Sequence, residues 1–135
     1  EKKMKLESKE TYDKFFFQIK KIKNKLNKIV LNAKRTKKTI HGYGASTKGN
    51  VLLQYFKISK KQIDYVADRN PKKSGCYTPG SKIPIISENS SRKLKPDLYL
   101  VLPWHFKKEI LKREKKAIKN GSKFIFPLPN ITINK

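Results

Sequence analysis

Thr39-Ile40-His41-Gly42-Tyr43-Gly44-Ala45-Ser46-Thr47-Lys48-Gly49-Asn50-Val51-Leu52-Leu53-Gln54-Tyr55-Phe56 is the stretch that decides the fold. A short apolar run ends in a glycine-rich turn, and the turn opens into an apolar helical segment. Strand, glycine turn and helix in this order are where α/β proteins place an anion or a nucleotide. Glycines let the backbone approach a phosphate, and a helix N-terminus offers free N–H groups and the positive end of its dipole. The spacing is informative by what it fails to match. A dinucleotide fingerprint, G-x-G-x-x-G, needs glycine at position 47, where Thr47 stands. A Walker loop needs lysine after its second glycine, yet Gly49 is followed by Asn50 and Lys48 precedes it. Ser46, Thr47 and Lys48 could still grip a phosphate, Lys48 as a point charge. A tight strand-to-helix turn that holds no ligand is the competing reading.

Outward from this stretch the alternation continues. Upstream, residues 1–7 are polar and expected to fray, and a long helix is expected from Ser8 to about Lys34. Its stripe is Tyr12, Phe15, Phe16, Ile19, Ile22, Leu26, Ile29, Val30 and Ala33, at spacings of three and four. Ser8 or Thr11 would cap it. Phe17 and Leu31 fall off the stripe and point to a second contact surface. Strand one is expected at 39–43 and its helix at 48–56. Downstream come strand two at 63–67, ended by Asp68-Arg69-Asn70-Pro71, then turns through 72–82 and a short strand three at 83–86. Ser87 caps a short helix reaching Lys95. Strand four, Leu98-Tyr99-Leu100-Val101-Leu102, is continuously apolar, as a central strand covered on both faces must be. A helix over 106–119, with Phe106, Ile110, Leu111, Ala117 and Ile118 inward, stops at Asn120-Gly121. Strand five at 123–126 is closed by Pro127 and Pro129. The reading is an α/β, Rossmann-like, doubly wound parallel sheet of about five strands, in the order 3-2-1-4-5, with a long N-terminal helix. The 135 residues form a single domain (1–135), with the helix in 1–36 and the α/β core in 37–130.

Composition narrows the function classes. One cysteine, Cys76, permits no disulfide framework or cysteine-cluster metal site, and two histidines, His41 and His105, make a histidine-rich metal site an unsuitable reading. No metal is expected. No apolar run approaches the roughly 18 residues that span a bilayer, and no signal-peptide core is present, so a cytoplasmic domain away from membranes is expected. The chain begins at Glu1 rather than Met, which is read as a piece of something longer. Its 34 Lys+Arg against 10 Asp+Glu give a formal charge of +24. That charge fits a nucleic-acid-binding module. Its spread over every segment, and the use of Lys where base readout favours Arg, fit solvated faces better.

Ligands in such sheets bind outside the carboxyl ends of the strands, near the reversal of strand order. Three stretches land there: Gly42–Asn50, Asp68–Pro71 and Pro103–Phe106. Asp68 stands where dinucleotide folds keep an acid for a ribose hydroxyl, and it suits an Asp-Arg-Asn-Pro turn equally well. His105, beside Trp104, could carry a proton or cap the next helix. His41, inside strand one, is expected to be packed. No nucleophile–base–acid set can be assembled, so the residues alone read as a ligand-binding domain, with no catalytic residue beyond His105 as a candidate.

Taken together, these motifs resemble the C-terminal domain of S-adenosylmethionine-dependent sugar C-methyltransferases, which act on deoxysugar nucleotides. The matching stretches are Gly42–Asn50, Val66-Ala67-Asp68-Arg69-Asn70-Pro71 with Lys73 and Gly75, Tyr77-Thr78-Pro79-Gly80, Ile83-Pro84-Ile85 and Lys95-Pro96-Asp97. Leu102-Pro103-Trp104-His105-Phe106 and Phe124-Ile125-Phe126-Pro127-Leu128-Pro129 complete the set, in order, over roughly residues 8 to 133. The resemblance implies a longer enzyme with an N-terminal zinc-binding module, a middle domain holding the methyl donor and the catalytic base, and this domain as the far wall of the sugar-nucleotide cleft. It implies that Gly42, Tyr43, Gly44, Ser46, Thr47, Lys48, Gly49 and Asn50 approach the phosphates. Asp68, Arg69, Asn70, Trp104 and His105 would lie around the rest of the substrate. S-adenosylmethionine would be bound by a domain of the same or another chain, with no cofactor in this one and no methylation by it alone. The alternatives are a basic nucleic-acid-binding module and a dinucleotide-dependent redox domain.

Overall fold

A computed structural model of the chain describes residues 2–128 and 131–134, without the side chains of residues 2–8 and Tyr12. Five strands run parallel: β1 (Ile40–Tyr43), β2 (Tyr65–Asp68), β3 (Ile85–Ser87), β4 (Leu98–Val101) and β5 (Lys123–Phe126). A sixth, β6 (Thr132–Asn134), pairs antiparallel with β5, Ile133 opposite Ile125. The order is β3-β2-β1-β4-β5-β6, so the expected 3-2-1-4-5 arrangement holds and gains an edge strand. Apolar residues alternate along each strand, and the two faces bury different sets. Ile40, Leu98, Leu100 and Ile125 point to one side, with Ile19, Ile22, Leu26, Val30 and Ala33 of α1 (Lys2–Arg35) and Leu53 of α2 (Thr47–Tyr55). Tyr43, Tyr99, Val101, Phe124 and Phe126 point to the other, against Ile110. On that face the Tyr99 and Phe124 rings stack at 4.8 Å, and Tyr43 meets both edge-on.

Several expectations need correction. The helix α1 starts at Lys2, so Ser8 and Thr11 lie inside it and not at its start; Lys, Met, Leu and Glu are good helix formers, and a polar segment of them need not fray. Phe15 and Phe16 belong to the apolar stripe yet are 59% and 42% exposed. Among the described side chains burial along α1 begins at Ile19, and Tyr12 lies outside them. The expected 106–119 helix is three pieces: a 3-10 turn at Trp104–Phe106, α4 (Lys107–Arg113) and α5 (Lys115–Lys119). The break falls at Glu114, whose side chain is drawn inward, and Phe106 is exposed rather than inward. Pro129 lies outside the described residues. Ser87 does cap α3 (Glu88–Leu94), accepting a hydrogen bond from the Ser90 amide. Among the described residues no helix is long and apolar enough to cross a membrane, and no group of metal ligands clusters.

Candidate functional site

Strand order reverses between β2-β1 and β4-β5, and the loops after β1, β2 and β4 meet at that point. The Gly44 amide donates to the Ala67 carbonyl at 2.7 Å, and the Leu102 amide to the Tyr43 carbonyl at 3.0 Å. Asp68 ties two of the loops. Its Oδ2 accepts from the Ala45 amide at 2.8 Å, and its Oδ1 accepts from the Asn70 amide at 2.8 Å, closing a turn. Lys73 Nζ then donates to the Ala45 carbonyl at 2.9 Å and lies 3.8 Å from Asp68 Oδ2. Ser46 caps α2, its Oγ accepting from the Gly49 amide at 3.0 Å.

The three glycines of the loop differ in role. A Cβ at position 42 would lie 2.9 Å from Val66 Cγ2, and one at position 49 would run into Leu102 Cβ. Those two glycines let neighbouring elements pack closely. Gly44 is the conformational one: its φ is +84°, and a Cβ there would also strike the Pro103 ring at 2.7 Å.

Beneath the converged loops lies a cleft of about 270 Å³. Of the residues anticipated from sequence, Tyr43, Gly44, Ser46, Asp68 and Arg69 line it. Lys73, Glu88, Phe106, Glu109 and Arg113 line it too. Thr47 is exposed at the first turn of α2, and Asn70 is exposed beside Arg69. Gly49 is buried under Leu102. The Asn50 Oδ1 is buried and accepts no hydrogen bond among the described residues. Lys48 and Trp104 face away from the cleft into a separate apolar groove. His105 is exposed on the 3-10 turn, against the Phe106 ring at 4.3 Å. His41 is packed, with Nδ1 2.7 Å from Ser91 Oγ, which in turn meets Tyr99 OH at 2.8 Å. Burial holds the His41 imidazole below its ordinary pKa.

One wall of the cleft is a charged network that sequence reading missed. The Tyr43 hydroxyl accepts from Arg113 Nη2 at 2.6 Å and donates to Glu114 Oε1 at 2.9 Å. Burial pushes the Tyr43 phenol well above its usual range, so it keeps the proton it donates. Glu88 Oε1 accepts from Arg113 Nη2 at 3.1 Å, and its Oε2 accepts from Arg92 Nη2 at 2.9 Å. Arg92 also donates to both oxygens of the buried Glu114. Two arginines and two glutamates therefore balance in charge, and the Arg113 guanidinium is fixed at the cleft wall. Arg69, at the mouth, has no ion-pair partner among the described residues. A signal was present: in a chain that takes nearly all its positive charge from lysine, three of its four arginines, Arg69, Arg92 and Arg113, gather here. Arginine offers a planar fork that binds oxyanions two bonds at a time.

The glycine loop does not form a cradle for an adenosyl or dinucleotide cofactor. The space that its glycines open is filled by Pro103 and Leu102, and the Gly44 and Ala45 amides are spent on Ala67 and Asp68. A cleft of about 270 Å³ is also smaller than the roughly 300–1,000 Å³ of complete small-ligand sites.

Residues 1–129 match the family described as C-methyltransferase C-terminal domain. The C-methyltransferase NovU of Streptomyces niveus is 35% identical over 118 residues, which are 87% of this chain and 28% of that protein. The chain thus spans little more than a quarter of that curated relative. Fold, loop convergence and sequence match together assign it: the chain belongs to the C-methyltransferase C-terminal domain family.

Proposed function

We propose that this domain is the substrate-side wall of an S-adenosylmethionine-dependent C-methyltransferase that acts on a nucleotide-linked deoxysugar. The observation that carries the reading is the open cleft at the carboxyl ends of β1, β2 and β4, with an anchored arginine on its wall and, at its mouth, one without an ion-pair partner among the described residues. Arg69 and the first turn of α2 suit the diphosphate, because both present donors to an anion. Arg113, Glu88 and Asp68 suit a sugar ring, whose hydroxyls both donate and accept. The methyl donor and the base that activates the sugar carbon would be held by another portion of the enzyme, on the same or a separate chain. That portion would hold the donor methyl against the carbon it alkylates. This domain would fix the sugar and exclude water from one side, and would methylate nothing alone.

Titrating the labelled chain with dTDP and dTDP-sugars tests the reading. Amides of residues 43–48 and 68–70 should shift, and Arg69→Ala should weaken binding about tenfold, the loss of a hydrogen bond to a charged group. Amides that stay still at millimolar ligand would reject it. Shifts with NAD(H) but not with nucleotide sugars would favour a redox domain instead.

A further inference from the structure

The first half of α1 presents aromatic side chains that this domain leaves partly exposed. At 1.5 Å per residue its 34 residues extend about 50 Å, and among the described side chains burial begins only at Ile19. Phe15, Phe16 and Phe17 are 59%, 42% and 63% exposed. Beside them on α2 stand Val51 and Tyr55, also exposed, and Trp104 closes the end. Together they form an apolar groove of about 510 Å³. An exposed apolar patch of this kind marks an interaction surface.

Charge argues about what covers it. From Lys14 to Ile63 the chain contains no Asp or Glu. Lys48 lines the groove and Lys23 Nζ sits 5.3 Å over the Tyr55 ring. A second copy would bring the same lysines against each other, whereas a partner with an acidic rim around an apolar centre would complement them. Position argues further. The loop that puts Ser46 in the cleft puts Lys48 in the groove, and the loop that puts Pro103 in the cleft puts Trp104 in the groove. A body seated in the groove therefore stands at the rim of the cleft. Methyl transfer requires the donor methyl to come within about 3–3.5 Å of the carbon it alkylates, so the body carrying the donor must approach that rim.

We propose that the groove between α1 and α2, formed by Phe15, Phe16, Val51, Tyr55 and Trp104, is the docking surface for the methyl-donor-binding portion of the enzyme. That portion meets it with an apolar centre and an acidic rim. The inference rests on the function proposed above, but it can fail separately.

The test is binding of this chain to the purified methyl-donor-binding portion of the cognate enzyme, by calorimetry, with sedimentation of each component alone. The chain should sediment as a monomer and bind one to one with micromolar affinity. Phe15→Ser with Tyr55→Ser should weaken binding at least thirtyfold while leaving thermal unfolding and the nucleotide-sugar amide shifts as they are. Lys23→Glu should weaken it several-fold, and added salt should do the same to the unaltered chain. Three results would overturn the proposal: no binding at millimolar concentration, binding indifferent to the paired substitution, or self-association that the paired substitution abolishes. Docking without nucleotide-sugar shifts would keep this surface and remove the sugar reading; shifts without docking would do the reverse.

Discussion

Replacing Gly44 by alanine tests whether the loops after β1 and β4 really meet, and Gly75 supplies the control. Both glycines have nearly the same φ, +84° and +86°, so alanine pays the same left-handed backbone cost at either place. That cost is about 1–2 kcal/mol, offset by about 0.4–1 kcal/mol because alanine restricts the unfolded chain. At Gly75 a new Cβ meets nothing within 4 Å, so Gly75→Ala should cost about 0.5–1 kcal/mol. At Gly44 the new Cβ would sit 2.7 Å from Pro103 Cδ and 2.9 Å from Cγ. A proline ring cannot rotate out of the way, so overpacking of about 1–3 kcal/mol adds to the backbone term. Gly44→Ala should therefore cost about 2–4 kcal/mol in all.

Gly49 completes the series from the other direction. It lies inside α2, where alanine is worth about 1 kcal/mol more than glycine. The obstacle there is Leu102 Cβ, fixed to the strand backbone, so Gly49→Ala should still destabilise, by about 1–2 kcal/mol net. Urea unfolding with unchanged slope gives all three values from the midpoints. If Gly44→Ala falls within about 0.5 kcal/mol of Gly75→Ala, the steric argument for loop convergence is wrong, and the cleft geometry with it.

Two further outcomes follow from the buried polar groups. Glu114→Gln removes the acid that pairs with Arg92 and accepts from Tyr43. It should cost about 2–3 kcal/mol in urea midpoint, the low end for breaking a buried pair because the Arg92 side chain remains 34% exposed. A loss under 0.5 kcal/mol would mean that the network contributes only placement of Arg113. Burial outweighs Asp64 in setting the His41 pKa below its ordinary 6.5, so the unfolded chain takes a proton there before the folded one does. The contribution of His41 is therefore complete above pH 6.5 and is lost as pH falls below it through the folded-state value; His41→Gln should show a shallower loss of stability between pH 7 and pH 5, and parallel profiles would contradict this.

What could be read in the sequence is what short-range pattern controls. Continuous apolar strands, Ser87 ahead of a helix and glycine after β1 each leave a local trace, and handedness of crossovers then sets the strand order. The misses are tertiary. Apolar periodicity runs on through 106–119, and the helix breaks at Glu114 because its carboxylate is taken by Arg92 and Tyr43, far away in sequence. The three residues of β6 carry no strand pattern of their own; they pair because β5 offers an open edge. Phe15 and Phe16 fit the stripe perfectly by spacing, but spacing names a face without saying what covers it. The cleft wall was hidden for the same reason: Arg113 sits among lysines on a helix and acquires its role only from Glu88 and Tyr43.

The loop that first reads as a phosphate cradle has spent most of what a cradle needs. In a dinucleotide fold the glycine amides point at the ligand; here the Gly44 amide holds Ala67 and the Ala45 amide holds Asp68. The third glycine is found at position 49 rather than 47 because that is where α2 crosses Leu102, and close helix–strand packing is what that glycine serves. Thr47 and Lys48 stay exposed at the helix start, with Lys48 turned toward the groove. In the function proposed above, the loop's own amides therefore contribute little to anion binding, which falls to Arg69 at the mouth and the first turn of α2, while Arg113 stands on the wall. A cleft whose available donors are side chains and whose outer side is open is what the substrate-side role proposed above asks of this domain.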